Sequence, residues 1–127
     1  MNILCVEQDR SKLRQLKRDA RELVPGAHIT VCRDPYEAEA MTKTKGCDVL
    51  LTDTVFDGFG LDGTMLAEEI RRVNPRVNII FVTDHADTSA ACSAWELGAS
   101  EFLLRPYEKQ RLARAFADPR FASGCVR

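Results

Sequence analysis

The chain has 127 residues, of which 29% are charged and 45% apolar, and its net charge is −1. This length and balance fit one globular domain with a real core. The near-zero net charge gives no basic field, so neither nucleic acid nor a membrane surface is an expected partner. No apolar run is long enough to span a bilayer. The residues Met1–Leu4 enter a strand-like run without a basic leader, so no signal peptide is expected.

The cysteines argue for a reducing compartment. There are five of them, no two form a CxxC pair, and an odd number cannot pair completely. We expect reduced thiols that act as small apolar residues, which favours a cytoplasmic location.

The first third of the chain reads as strand, helix, strand, helix. Residues 2–7 form the first strand-like run, and 28–32 form the second. The helix between them has apolar residues at helical spacing: Leu13, Leu16, Ala20 and Leu23. Proline and glycine at 25–26 end that helix. The second helix begins with Asp34 as N-cap, Pro35 at the first position and Glu37 as reciprocal cap, and Gly46 ends it.

The rest of the chain continues this alternation. Residues 48–53 form a continuous apolar run, typical of a strand covered on both faces. A glycine-rich loop follows at 54–63. The remaining predicted strands are 77–83 and 101–104, and the remaining helices are 64–73, 88–97 and 108–116. The tail from Asp118 is predicted to be frayed.

Alternating strands and helices predict an α/β fold of three layers, α/β/α, around a five-stranded parallel sheet. Right-handed crossovers favour the flavodoxin-like strand order 2-1-3-4-5. Strands 1, 3, 4 and 5 then lie side by side, and they are followed by Glu7, Asp53, Thr83 and Arg105. Carboxyl ends of parallel strands share one edge, where open sheets bind ligands. Two carboxylates, a hydroxyl and a cation suit the handling of a phosphoryl group.

Five segments in this order resemble the receiver domain of two-component response regulators. They are Ile-Leu-Cys-Val-Glu-Gln-Asp (3–9), Asp-Val-Leu-Leu-Thr-Asp (48–53), Leu-Asp-Gly (61–63), Ile-Ile-Phe-Val-Thr (79–83) and Gly-Ala-Ser-Glu-Phe-Leu-Leu-Arg-Pro (98–106). The resemblance covers about residues 2–116. It assigns 1–117 to a receiver domain and leaves 118–127 as a C-terminal tail.

The resemblance implies a regulatory protein and not an enzyme. Asp53 would accept a phosphoryl group from a histidine kinase or phosphotransfer protein, and Glu7 and Asp53 would hold a magnesium ion. Thr83 and Phe102 would act as switch residues, and Arg105 would stand where the family has a lysine. An output domain or partner protein would lie outside this chain. The bond from residue 105 to 106 is expected to be cis, as in the family.

Four features depart from the family pattern. Gln8 stands where the second acid is usual, and a neutral amide attracts magnesium more weakly than a carboxylate. A guanidinium at Arg105 can grip a carboxylate with two bonds. Asp84 replaces a very small residue and crowds the crevice. The loop at 54–63 is about two residues longer than usual and lacks its proline. Asp9 is expected to be occupied in capping the first helix.

The resemblance therefore implies one function, and the departures from the pattern leave a second one open as the alternative. In the first, Asp53 is phosphorylated and switches partner interactions. In the second, the chain is a pseudo-receiver, a phosphorylation-independent interaction module in which Arg105 and Asp53 form a standing ion pair. A phosphatase with an aspartate nucleophile would need a second aspartate where Val55 stands. Trp95, flanked by apolar residues at helical spacing, is expected to pack in the core.

Overall fold

The computed structural model describes residues 1–122. The five strands are β1 (Asn2–Val6), β2 (His28–Cys32), β3 (Val49–Thr52), β4 (Asn78–Thr83) and β5 (Glu101–Leu104). The helices are α1 (Arg10–Leu23), α2 (Pro35–Lys45), α3 (Gly63–Val73), α4 (Thr88–Glu96), α5 (Lys109–Phe116) and α6 (Pro119–Ala122). The strands and the first five helices were all predicted, and wherever both ends were predicted they differ from the observed ones by no more than one residue.

The sheet is parallel throughout, in the order β2-β1-β3-β4-β5. The predicted fold and strand order are therefore confirmed. Successive side chains of a strand point to opposite faces, and this alternation divides the core into two layers. Ile3 and Cys5 of β1 pack with α1 and α5, whereas Leu4 and Val6 pack with the helices of the other face, α2 to α4. Because both faces are covered, the central strands are apolar without a break.

Aspartates begin most of the helices. Asp9 accepts a hydrogen bond from the backbone N–H of Lys12, which confirms its predicted role as the cap of α1. Asp34 caps α2 in the same way, with Pro35 in the first turn. These caps satisfy backbone donors that a helix start leaves unpaired. They also fix where α1 leaves the sheet, which positions its first turn beside the carboxyl edge.

The predicted frayed tail is wrong for part of its length, since Pro119–Ala122 forms the short helix α6. Proline suits the first turn of a helix, and the Asp118 side chain accepts the backbone N–H of Arg120 at 2.9 Å. Residues 123–127 of the predicted tail lie outside the described part of the chain. None of the helices within residues 1–122 is long and apolar enough to cross a membrane.

Candidate functional site

Backbone hydrogen bonds hold the predicted site residues at one edge of the sheet. The N–H groups of Glu7 and Asp53 each donate at 3.1 Å to the neighbouring strand, to the carbonyls of Cys32 and Val6. The N–H of Arg105 donates to the carbonyl of Thr83 at 2.8 Å. Each residue thus extends the hydrogen-bonding ladder one step beyond its strand, so its side chain starts from a rigid backbone.

Arg105 pairs with Glu7. Its Nη2 lies 3.0 Å from Oε1 of Glu7, and the two side chains are only 12% and 4% exposed. The two atoms are close but not aligned for a hydrogen bond, so the contact is an ion pair. Nη1 of Arg105 also donates to the carbonyl of Val82 at 3.4 Å. The predicted ion pair between Arg105 and Asp53 is therefore wrong: the guanidinium has turned to the other carboxylate of the crevice.

Glu7 is a buried acid with mixed surroundings. Burial raises the pKa of its carboxyl group, and the nearby charge of Asp53 acts in the same direction. The backbone N–H of Asp9, which donates to Oε2 of Glu7 at 2.9 Å, and the cation of Arg105 lower it. The two carboxylates therefore compete for positive charge, and Arg105 supplies it to one of them.

Asp53 is buried, with 8% of its surface exposed. Its Oδ1 accepts the backbone N–H of Thr54 at 2.6 Å and that of Val55 at 3.4 Å. Two N–H donors on one oxygen fix the orientation of the carboxylate. Of the two oxygens, Oδ1 is therefore the one that the backbone occupies.

Gly63 keeps the backbone of the acceptor close to α3. A methyl group at this position would lie 1.8 Å from the carbonyl oxygen of Asp53 and 2.7 Å from Cα of Thr54. The N–H of Gly63 donates to the carbonyl of Thr54 at 2.9 Å. Only glycine allows this approach, which explains the glycine of the Leu-Asp-Gly segment.

Gln8 has a role that the sequence did not reveal. Its Nε2 donates to the carbonyl of Asp57 at 2.8 Å, and its Oε1 accepts the N–H of Asp57 at 2.6 Å. The amide thus satisfies both backbone groups of one residue and ties down the long loop 54–63. A carboxylate could not do this, because it has no hydrogen to donate. Nothing in the sequence links these positions, which lie 49 residues apart.

The crevice does not fit a complete magnesium site. Magnesium needs hard oxygen ligands around it. Here the guanidinium lies against Glu7, and both polar atoms of the Gln8 amide are used by the loop. Within residues 1–122, no group of three His, Cys, Asp or Glu side chains could hold a metal ion. Receiver domains generally bind Mg²⁺ for phosphorylation.

Asp84 lies between two cations at the mouth of the crevice. Lys12 Nζ donates a hydrogen bond to its Oδ2, and Nη1 of Arg105 lies 3.9 Å from its Oδ1. The hydrogen bond from Lys12 lowers the pKa of Asp84, and Arg105 adds to this. The same hydrogen bond raises the pKa of Lys12. The extra acid thus attracts cations of the chain itself to the crevice.

The two predicted switch residues lie beside the site. Thr83 is fully buried, its Oγ1 accepts the N–H of His85 at 3.1 Å, and it lies 3.1 Å from Oγ1 of Thr54. Its hydroxyl is therefore linked to the residue that follows Asp53. Phe102 is half-buried, and its ring centre lies 6.1 Å from that of Phe81. The switching roles of Thr83 and Phe102 stay predictions.

Two further expectations have clear outcomes. The bond between Arg105 and Pro106 is cis, as expected. The predicted packing of Trp95 is wrong, because this side chain is 86% exposed on α4. Of its apolar neighbours on the helix only Ala94 is buried. The buried stripe of α4 is one residue wide, and position 95 lies about 100° around the helix from it.

Residues 3–117 match the sequence profile of the response regulator receiver domain. The chain is 32% identical over 108 residues to the DNA-binding transcriptional regulator NtrC of Escherichia coli K12, a match that covers 84% of this chain and 22% of the relative. It is 26% identical over 117 residues to the transcriptional regulatory protein GlrR of the same organism, covering 92% of this chain and 26% of GlrR. The chain thus spans about a quarter or less of these relatives.

Solved structures show the same fold. A response regulator receiver domain protein from Clostridium thermocellum superimposes with a TM-score of 0.84 at 23% identity, over 99% of this chain and 98% of that one. NtrX from Brucella abortus, solved with ADP, gives a TM-score of 0.81 at 21% identity, over 98% of this chain and 28% of that one. With the sequence match over residues 3–117, these findings show that the chain belongs to the receiver domain family of two-component response regulators.

Proposed function

We propose that this receiver domain passes on signals by protein contacts without magnesium-dependent phosphorylation of Asp53. The observation that carries the proposal is the ion pair between Arg105 and Glu7, whose atoms lie 3.0 Å apart. It places a permanent cation on a carboxylate that a metal ion would need. The domain is then a regulatory module, and its partner is an output domain or protein outside this chain.

The chemistry of phosphoryl transfer supports this reading. A phosphoryl group carries several negative charges, and bringing it to the carboxylate of Asp53 requires mobile or well-placed positive charge. Arg105 is a basic side chain at this edge of the sheet, but it already lies against Glu7 and near Asp84. Glu7 and Asp84 are both carboxylates, and their negative charges repel an incoming phosphoryl group.

The second candidate is a receiver that is phosphorylated on Asp53 by a histidine kinase or phosphotransfer protein. The position of Asp53 favours it: the residue follows β3, its Oδ1 is held by two N–H groups, and Thr83 lies close by. In this case a kinase must bring enough positive charge, or displace Arg105, to make the reaction possible. A cytoplasmic location belongs to both candidates.

Acetyl phosphate with Mg²⁺ separates the two candidates when intact mass is the readout. We expect the wild type to stay unmodified, as does the Asp53→Asn control. Arg105→Lys and Gln8→Asp, alone and combined, test whether the family residues restore the reaction. Gln8→Asp also removes the hydrogen bond from the Gln8 amide to the carbonyl of Asp57. Arg105→Lys is therefore the variant whose result is easier to interpret. Addition of one phosphoryl group to the wild type, absent in Asp53→Asn, would overturn the proposal in favour of the second candidate.

A further inference from the structure

Three ion pairs form a continuous line across the mouth of the crevice. Lys12 bonds to Asp84, Asp84 lies 3.9 Å from Arg105, and Arg105 lies 3.0 Å from Glu7. The line joins the first turn of α1 to the end of β4 and the end of β5, elements that are distant in sequence. Positive and negative charges alternate along this line, so each side chain is attracted by the one or two beside it.

We propose that Lys12 and Asp84 are positioning residues that hold Arg105 on Glu7 and so keep the crevice closed to a metal ion. The inference rests on the proposed function, because it explains how the guanidinium stays where that function needs it. We call these two residues and Arg105 the ionic latch.

The geometry of Arg105 shows why it needs support. Its contact with Glu7 lacks hydrogen-bond alignment, and its bond to the carbonyl of Val82 is long at 3.4 Å. Holding a long side chain in one conformation costs entropy, and this cost offsets much of the electrostatic attraction that such contacts supply. Asp84 places a second carboxylate near Nη1, while Nη2 lies against Glu7. Attraction at both ends restricts the guanidinium to its position beside Glu7.

Lys12 in turn fixes Asp84. The backbone of Lys12 is anchored, because its N–H bonds to the capping carboxylate of Asp9 at 3.0 Å. Its side chain reaches across to β4 from that anchor. Lys12 and Asp84 are 39% and 36% exposed, whereas Glu7 is 4% exposed. The outer half of the latch is therefore open to salt and to partners, and it controls a contact that is itself shielded.

Side-chain NMR of Arg105 tests the latch directly, with the heteronuclear NOE of its Nε–H group as the readout. We expect an ordered guanidinium in the wild type and a mobile one in Lys12→Gln and in Asp84→Asn. Asp84→Glu, which keeps the charge, should restore most of the order. The matched controls are Lys17→Gln, which removes one positive charge, and Asp57→Asn, which removes one negative charge. Neither residue belongs to the ion pairs of the latch. An Arg105 that stays equally ordered in Asp84→Asn would overturn the inference.

Magnesium affinity gives a second readout. Binding too weak to saturate is measured by the initial slope of the backbone amide shifts against Mg²⁺ concentration. This slope should rise about fivefold in Lys12→Gln and less than about twofold in Lys17→Gln. If Lys12 acts through Arg105, its effect disappears in an Arg105→Gln background. A fivefold effect that persists there would mean that Lys12 acts only by its charge, and the latch would be rejected.

The two proposals fail separately. If the wild type accepts a phosphoryl group on Asp53 while Asp84→Asn frees Arg105, the latch stands and the proposed function falls. If Arg105 keeps its order in Asp84→Asn, the latch falls whatever the mass assay shows.

Discussion

Arg105 and Glu7 meet at the carboxyl edge of the sheet, with Nη2 and Oε1 3.0 Å apart in a nearly buried pocket. The pair brings together the residues that follow β5 and β1, which are separated in the sheet by β3 and β4. A guanidinium that reaches this far occupies the space between the acids. The proposed function rests on this relationship.

Removing Arg105 alone should destabilise the fold more than removing the charges of both Arg105 and Glu7. We expect Arg105→Ala to lower the free energy of unfolding by about 3 kcal/mol, because Glu7 is left buried and unpaired. Adding Glu7→Gln should recover part of that loss. Urea unfolding measures both, with the exposed Arg14→Ala as control. Equal losses in the single and double variants would show that an unpaired Glu7 carboxylate carries no cost at this site.

Gly63 should tolerate no side chain. Gly63→Ala places a methyl group 1.8 Å from the carbonyl oxygen of Asp53, so the acceptor backbone or α3 must move. We expect a loss of about 1–3 kcal/mol or more in the free energy of unfolding. Gly58→Ala is the comparison: the site has open space, so its cost comes only from a positive φ of 84°. A smaller loss at Gly63 than at Gly58 would contradict the close approach.

The pair between Lys12 and Asp84 should make stability depend on acid pH. The hydrogen bond from Lys12 lowers the pKa of Asp84 below its usual 3.8, so the folded state holds this proton less tightly than the unfolded state. The stabilisation is therefore present above pH 3.8 and is lost as the pH falls through the folded pKa. Because Asp84 is 36% exposed, it amounts to less than about 1 kcal/mol.

Urea unfolding of the wild type and Asp84→Asn checks this pH dependence. The difference between them should be largest at neutral pH and should shrink below pH 3.8. High salt should reduce it at neutral pH, since salt screens an exposed pair. A difference that grows on acidification would show that the sign is wrong.

The thiols should differ sharply in reactivity. Burial raises the pKa of Cys5 to about 12 and that of Cys47 to about 12, and it also raises the pKa of Cys32. Cys92 is exposed. In a Cys125→Ser background, one thiol should react with Ellman's reagent in the folded protein, and the rest only after unfolding. Rapid reaction of a second thiol in the folded state would contradict the packing around β1 and β3.

The fold could be predicted from sequence because its signals are local and repeated. Asp34, Pro35 and Gly46 mark the ends of α2, and the apolar run before Asp53 marks a strand covered on both faces. These signals need only the residues a few positions away. The convergence of Glu7, Asp53 and Arg105 then followed from the parallel strand order.

The partners within the site could not be predicted in the same way. Glu7 and Asp53 are both acids at the same edge, and the sequence does not say which of them Arg105 reaches. That choice depends on loop paths and on competition from the N–H groups on Asp53. Gln8 was interpreted as a weakened metal ligand, but its amide is bound to the backbone of Asp57. Such contacts depend on the three-dimensional path of a long loop.

A magnesium titration followed by backbone NMR shows whether the wild-type crevice binds a metal ion. It compares the wild type with the Gln8→Asp/Arg105→Lys double variant and monitors the amides of residues 53 to 55. If the guanidinium of Arg105 takes the place of the metal, the wild type shows no saturable shifts over a range that saturates the double variant. Equal saturation of the two proteins would show that Arg105 does not exclude the metal ion from the crevice.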